Sequence, residues 1–333
     1  MTENDIAAYI DVLRRYSTWD DYTANAEPLH EAEAALIAAG EAAVPSLIAC
    51  LSEPGWGATA GAVYCLGEIA DVSAVQPLIE ALRTDDISLR SDIVEALLKL
   101  GEIAVRPLIF ALTNPDSNVR RGAALTLGMF KNELAVLPLL GALTMDQAAP
   151  VRVAAADALA GFADARSVEP LITGLRDADP AVREASVRAL GAVAAQVGVT
   201  RALPALAEAM KDSDWGTRQS ASEMVIKLDK PTSPRVEAAQ LLLIADLTDD
   251  DPEIRLGAAY SLKEVGDPRA ADALTRLLYH WSGSISAAAA LALGELGDER
   301  AIPALRNALS HADPQVRHAA QQALRSMGAE EQS

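Results

Sequence analysis

Asp179-Pro180-Ala181-Val182-Arg183-Glu184-Ala185-Ser186-Val187-Arg188-Ala189-Leu190-Gly191 is the stretch whose reading decides the fold. Its aspartate can accept the orphan N–H groups of a helical first turn, and a proline at the first helical position forfeits no intrahelical bond. Strong helix formers follow, and a Leu-Gly pair closes the segment. The stretch is therefore a capped helix. It also recurs.

Outward from residue 183 the Val-Arg pair returns as Leu89-Arg90, Val119-Arg120, Val151-Arg152, Ile254-Arg255 and Val316-Arg317, a period of about 31. Thr59, Arg218 and Ser286 hold the same slot in the remaining units. Asp86, Asp116, Asp179, Asp214, Asp251 and Asp313 each lie four residues before it. Between these segments runs a second pattern, in which Pro45, Pro77, Pro107, Pro138, Pro170, Pro204 and Pro303 precede aliphatic residues, as in Pro77-Leu78-Ile79. Each repeat is thus a helical hairpin that cannot bury its apolar faces alone, so neighbours must stack. The expected fold is all-α: an α-solenoid, a right-handed superhelix of about nine hairpins. The recurring arginine is expected to bond the adjacent unit and form a structural ladder.

The combination Asp-x-x-Val-Arg-x-x-Ala-x-x-Ala-Leu-Gly with Ala-Val-x-Pro-Leu-Ile resembles the HEAT-like repeats first noted in phycobilisome lyases. The resemblance covers roughly residues 30–327. It implies fold with high specificity and function with little. Ankyrin and tetratricopeptide signatures are absent.

Composition agrees with this architecture. Half the residues are hydrophobic but only 4% are aromatic, so the core must be built from Ala and γ-branched aliphatics, which suit close-packed helices. A formal charge of −19 repels phosphate backbones and anionic lipid, and favours a basic partner. The acidic Met1–Asp5 terminus is unlike a secretory leader, and no apolar run approaches about 18 residues; a cytoplasmic location is expected. Cys50 and Cys65, without CxxC spacing, read as buried free thiols.

Residues 1–29 read as an N-terminal capping helix and linker, with Ile6, Tyr9, Ile10, Leu13 and Tyr16 on one stripe. Residues 30–333 read as one solenoid domain with an irregularity near 196–235. There the slot spacing lengthens to 35 and 37 residues, around Gln196-Val197-Gly198 and Asp229–Pro234. The last helix turns polar at Gln321, Gln322 and Arg325.

No catalytic constellation emerges. Deoxyhypusine hydroxylase, built on similar repeats, uses repeated His-Glu pairs for two irons, but only His30-Glu31 matches; His280, His311 and His318 are followed by Trp281, Ala312 and Ala319. Asp249-Asp250-Asp251-Pro252-Glu253 lacks the glycine and terminal Glu of a calcium loop. No cofactor and no metal are expected.

In related repeat proteins the positions one, two and five after the slot line the concave face. The resemblance thus implies a groove carrying Tyr64, Glu95, Arg121, Leu125, Glu184, Arg188, Glu223, Leu256, Tyr260 and Leu291. Trp56 and Trp215 stand at its rim, with small residues at the +2 positions leaving room for a partner. Such a mixed apolar and acidic groove suits an amphipathic or extended protein segment bearing Lys or Arg. The leading reading is a non-enzymatic interaction scaffold, without nucleic acid or membrane. Two alternatives rest on the resemblance: a bilin lyase-type factor or chaperone acting on a phycobiliprotein, and a HEAT-like DNA glycosylase, which the acidic field disfavours. Oligomeric state is not legible.

Overall fold

The computed structural model describes residues 2–15, 26–53, 56–198 and 200–329. Tyr16 and most of the expected linker lie outside the described residues. All regular elements among the described residues are helical. The chain divides into two compact units, Met1–Gln196 and Val197–Ser333.

Unit 1 begins with α1 (Glu3–Arg15), which packs Ile6, Ile10 and Leu13 against α2 (Glu27–Ala39). Five hairpins follow: α3 (Val44–Cys50) with α4 (Trp56–Ile69), α5 (Val75–Ala81) with α6 (Ile87–Leu100), α7 (Val105–Ala111) with α8 (Ser117–Phe130), α9 (Val136–Met145) with α10 (Ala149–Leu159), and α11 (Val168–Gly174) with α12 (Pro180–Val197). Unit 2 holds four more: α13 (Ala202–Ala209) with α14 (Trp215–Leu228), α15 (Pro234–Asp246) with α16 (Pro252–Val265), α17 (Ala271–Leu277) with α18 (Gly283–Leu296), and α19 (Ile302–Ala308) with α20 (Pro314–Ser326). The described residues therefore form nine hairpins behind an N-terminal helix pair. Within each unit successive second helices lie side by side, as α4 does on α6 and α18 on α20.

The repeat motif explains each boundary. Asp86, Asp116, Asp179, Asp214, Asp251 and Asp313 all accept backbone N–H groups of the following turn. The prolines of the first helices fall within the first three positions, where no intrahelical acceptor is lost. The Leu-Gly glycine serves contact between repeats: a Cβ on Gly128 would stand 2.7 Å from both Cα and Cβ of Ala158, so only glycine lets α8 meet α10 at that depth.

The irregularity takes the form of extra helix. α12 runs 18 residues, where α4, α6 and α8 run 14. α15 runs 13 in place of the usual 7, and Asp229 anchors its start by accepting from Ser233 Oγ at 2.6 Å and Arg235 at 3.0 Å.

The slot arginines do form a ladder, and its partner is specific. Arg120 donates from Nε and Nη2 to the two oxygens of Asp146 at 2.7 and 2.9 Å, while Nη1 reaches the Asn114 and Pro115 carbonyls. Arg152 repeats this on Asp177 and on the carbonyls of Asp146 and Gln147. Each acceptor lies six residues before the next slot and also takes a backbone N–H two residues on, from Ala148 and Asp179 respectively. Thr59 and Ser286, in units lacking the arginine, donate their hydroxyls to the last carbonyl of the preceding helix and to a loop carbonyl beyond it.

Two rungs without a carboxylate leave a buried Nε unbonded, those of Arg90 and Arg255. Arg90 is 5% exposed, but Asn114 stands where the carboxylate should be; the guanidinium holds the Thr84 carbonyl and its Nε has no partner. In unit 2, Arg255 faces His280, with Nη2 3.0 Å from Nε2. His280 Nδ1 faces the Ser282 N–H, so both ring nitrogens meet donors while a neutral imidazole has one acceptor, and one of the two contacts goes unmet. Burial and the Arg255 charge both push the imidazole pKa down.

Cys50 and Cys65 are free and fully buried, and burial pushes their thiols up to about 11 and about 12.

Candidate functional site

Positions one and five residues after the slot lie one turn apart and share a helix face. The next turn of the same stripe, nine residues after the slot, carries Glu68, Lys99, Lys227 and Glu264. Lys99, Lys227 and Glu264 line the two pockets described below, and Glu68 bonds Lys99. They stand one turn beyond the residues expected from the sequence, on the same stripe.

In unit 1, Tyr64 and Glu95 line one open pocket of about 400 Å³ between α2, α4 and α6. Lys99 stands 5.4 Å from the Tyr64 ring centroid and bonds Glu68 at 2.7 Å and Glu95 at 2.9 Å. Those two carboxylates raise its pKa. Glu33 and Asp92 line the same pocket, and burial pushes both carboxyls up. Carboxylates thus outnumber the single ammonium, which is already saturated. An incoming cation on an apolar stem matches this lining; an anion does not.

Elsewhere in unit 1 the implied residues separate. Arg188 pairs with Glu184 at 2.7 Å and with Asp157 at 3.1 Å. Arg121 makes no hydrogen bond or ion pair among the described residues. Leu125 is half-buried.

In unit 2, Glu223 and Tyr260 border a larger pocket, about 640 Å³, with Lys227, Lys263, Met224 and Ile226. Tyr260 is half exposed. Glu223 is held by the Ser261 hydroxyl and by Gln219 Nε2 at 3.1 Å, and Gln219 also reaches the Gly257 carbonyl at 3.3 Å. Lys263 approaches Glu264 only to 3.8 Å, and Lys227 has no hydrogen bond or ion pair among the described residues. Leu291 borders a separate pocket with His318 and Gln322.

Several expectations change. Leu256 and Leu291, read as exposed, pack partly against the core of unit 2. The small +2 residues do not leave room for a partner, because the preceding repeat fills it. A Cβ on Gly61 would meet Leu13, one on Gly122 would meet Leu82, and one on Gly257 would lie 2.3 Å from the Trp215 ring. Trp215 is accordingly half-buried packing between α14 and α16, its indole N–H buried without a partner. The side chain of Trp56 lies outside the described residues. His280 and His311, set aside above as lacking a following glutamate, accept backbone N–H groups through Nδ1 where other repeats use Asp.

Among the described residues, no three or more His, Cys, Asp or Glu gather as a metal would require. No single helix among them is long and apolar enough to cross a membrane.

Stacked two-helix repeats joined through slot arginines define an α-solenoid of the HEAT class. The HEAT-repeat family model matches residues 86–160, 137–227 and 276–333, and the chain belongs to that family. The PBS lyase HEAT-like repeat model matches residues 60–84 and 254–280.

Among curated proteins, the bilin biosynthesis protein PecE of Mastigocladus laminosus is 30% identical over 156 residues, 47% of this chain and 55% of PecE. The chain thus spans about half the length of this relative. Among solved structures, YibA of E. coli is similar with a TM-score of 0.55 at 21% identity, covering 78% of this chain and 96% of that one. A chain of the Kap95p–RanGDP structure gives 0.58 at 12% identity, covering 97% and 50%. These two likenesses concern the fold alone.

Proposed function

We propose that this protein is a bilin lyase-type factor: it holds a linear tetrapyrrole and a phycobiliprotein acceptor together for attachment or removal of the chromophore. The similarity to PecE carries the reading. The match of the PBS lyase HEAT-like repeat model to 60–84 and 254–280, segments that contain Tyr64 and Tyr260, supports it.

The chemistry suits a holder. Addition of a cysteine thiol across a carbon–carbon double bond of the tetrapyrrole forms one S–C and one C–H bond, with the thiol proton ending on carbon. It requires neither oxidant nor leaving group. Rate is gained by positioning the two reactants. The interaction scaffold read from the sequence is the coarser form of the same role. The acidic pocket of unit 1, with Tyr64 and Glu95, is the surface proposed for a basic or amphipathic segment of the protein partner.

The test is a titration of the purified chain with biliverdin, followed by visible absorption, and addition of an apo-phycobiliprotein subunit. The reading predicts a shifted and sharpened absorption band and faster or cleaner chromophore attachment. An unchanged spectrum together with unchanged attachment overturns it.

A further inference from the structure

We infer that the pocket of unit 2, between Tyr260 and Lys227, is the seat of the tetrapyrrole, and that Lys227 and Lys263 receive its two propionate groups. The inference rests on the bilin reading above and adds where the ligand sits and which of its groups are recognised.

The two pockets differ in the charge they leave unanswered. In unit 1 Lys99 is spent on Glu68 and Glu95, and Glu33 and Asp92 face the same space, so a dicarboxylate meets net repulsion. In unit 2 two ammonium groups, Lys227 and Lys263, stand against two carboxylates, Glu223 and Glu264, so the lining carries no net charge. Glu223 is engaged by Ser261 and Gln219, while Lys227 has no partner and Lys263 is only loosely paired with Glu264. Two ammonium groups are therefore available at one rim.

The body of the pocket fits the rest of such a ligand. Its volume, about 640 Å³, lies within the range of small-molecule sites. The half-exposed Tyr260 ring, with Met224 and Ile226, offers an apolar wall for a flat conjugated body. Glu223 is fixed by its neighbours with its carboxylate lining the cavity, where it accepts from pyrrole N–H groups. A linear tetrapyrrole has this division: conjugated body, N–H donors, and two carboxylates on flexible arms. An acidic side chain of a protein partner matches the lysines but leaves the apolar wall and Glu223 unused.

The experiment uses the full chain, with biliverdin and its dimethyl ester as probes followed by visible absorption and induced circular dichroism. The Lys227→Glu/Lys263→Glu variant should bind biliverdin at least about tenfold more weakly, and the ester should bind both forms about equally. Tyr260→Ala should reduce the induced dichroism. Lys230→Glu, a single lysine-to-glutamate exchange outside the pocket, should change neither, and thermal melting checks folding. If the native chain binds biliverdin and the double variant binds it equally, the seat is elsewhere and the bilin reading stands. If the native chain binds no biliverdin, both fail.

Discussion

Arg152 and Asp177 lie 25 residues apart and meet through two parallel bonds of 2.8 and 2.7 Å, with both side chains largely buried. The arginine belongs to one hairpin and the aspartate to the loop of the next. A planar guanidinium on a carboxylate fixes orientation as well as distance, so the pair sets how one repeat is stacked on another. Arg120 and Asp146 do the same one repeat earlier.

Breaking a rung leaves its other half buried and unpaired. Asp146→Ala should destabilise the chain by about 3 kcal/mol, read as a lower denaturant midpoint. The double variant with Arg120→Met should cost less than the two single changes added together, as a double-mutant cycle would record.

Acid should attack the same contacts. Burial alone raises the Asp146 carboxyl, but the bonds from Arg120 and Ala148 and the charges of Arg120 and Arg152 outweigh it and hold the pKa below the usual value. Asp177 is held down likewise. A depressed folded pKa gives stability that is present above the unfolded value, near 4, and is lost as pH falls through the folded one. Thermal melts at successive pH values should show stability declining below about pH 4, with a smaller decline in Asp146→Asn.

Completing the open rungs should stabilise. Asn114→Asp places a carboxylate opposite the buried Arg90, since Asn114 already takes the Asp116 N–H at 2.9 Å just as Asp146 takes that of Ala148. His280→Asp does the same for Arg255. Each should add about 1 kcal/mol. Because the folded His280 pKa is lowered, its contribution is present above the ordinary histidine value and fades as pH falls toward the folded one. The His280→Asp chain should lack this loss between neutral and mildly acidic pH, measured by melting temperature.

Gly128→Ala should destabilise by about 1–3 kcal/mol, because the added methyl meets the Ala158 backbone and not a movable side-chain tip. Gly141→Ala is the matching control: its Cβ meets nothing within 4 Å. Denaturant midpoints of the two variants should separate clearly.

The hairpins, their caps and the ladder were legible in the sequence because most repeats state them again: an aspartate four before the slot, a proline in the first helix, an arginine in the second. What the sequence did not yield lies between repeats. Gly257 looked like free space until the Trp215 ring was found in it. The carboxylates opposite the arginines recur six residues before the slot, at Asp146 and Asp177, and that row was available to be read. Lys227 was missed because helix periodicity was followed for two turns of the stripe and it stands on the third, with Lys263 eight residues after its own slot beside that row.

The mismatched rung at His280 also bears on how unit 2 comes apart under load. Repeats held only to their neighbours yield in sequence when pulled from one end. The join between Arg255 and His280 has no carboxylate to hold the guanidinium, unlike that between Arg120 and Asp146, so a pull along unit 2 meets less resistance there, on the helix that bears Tyr260.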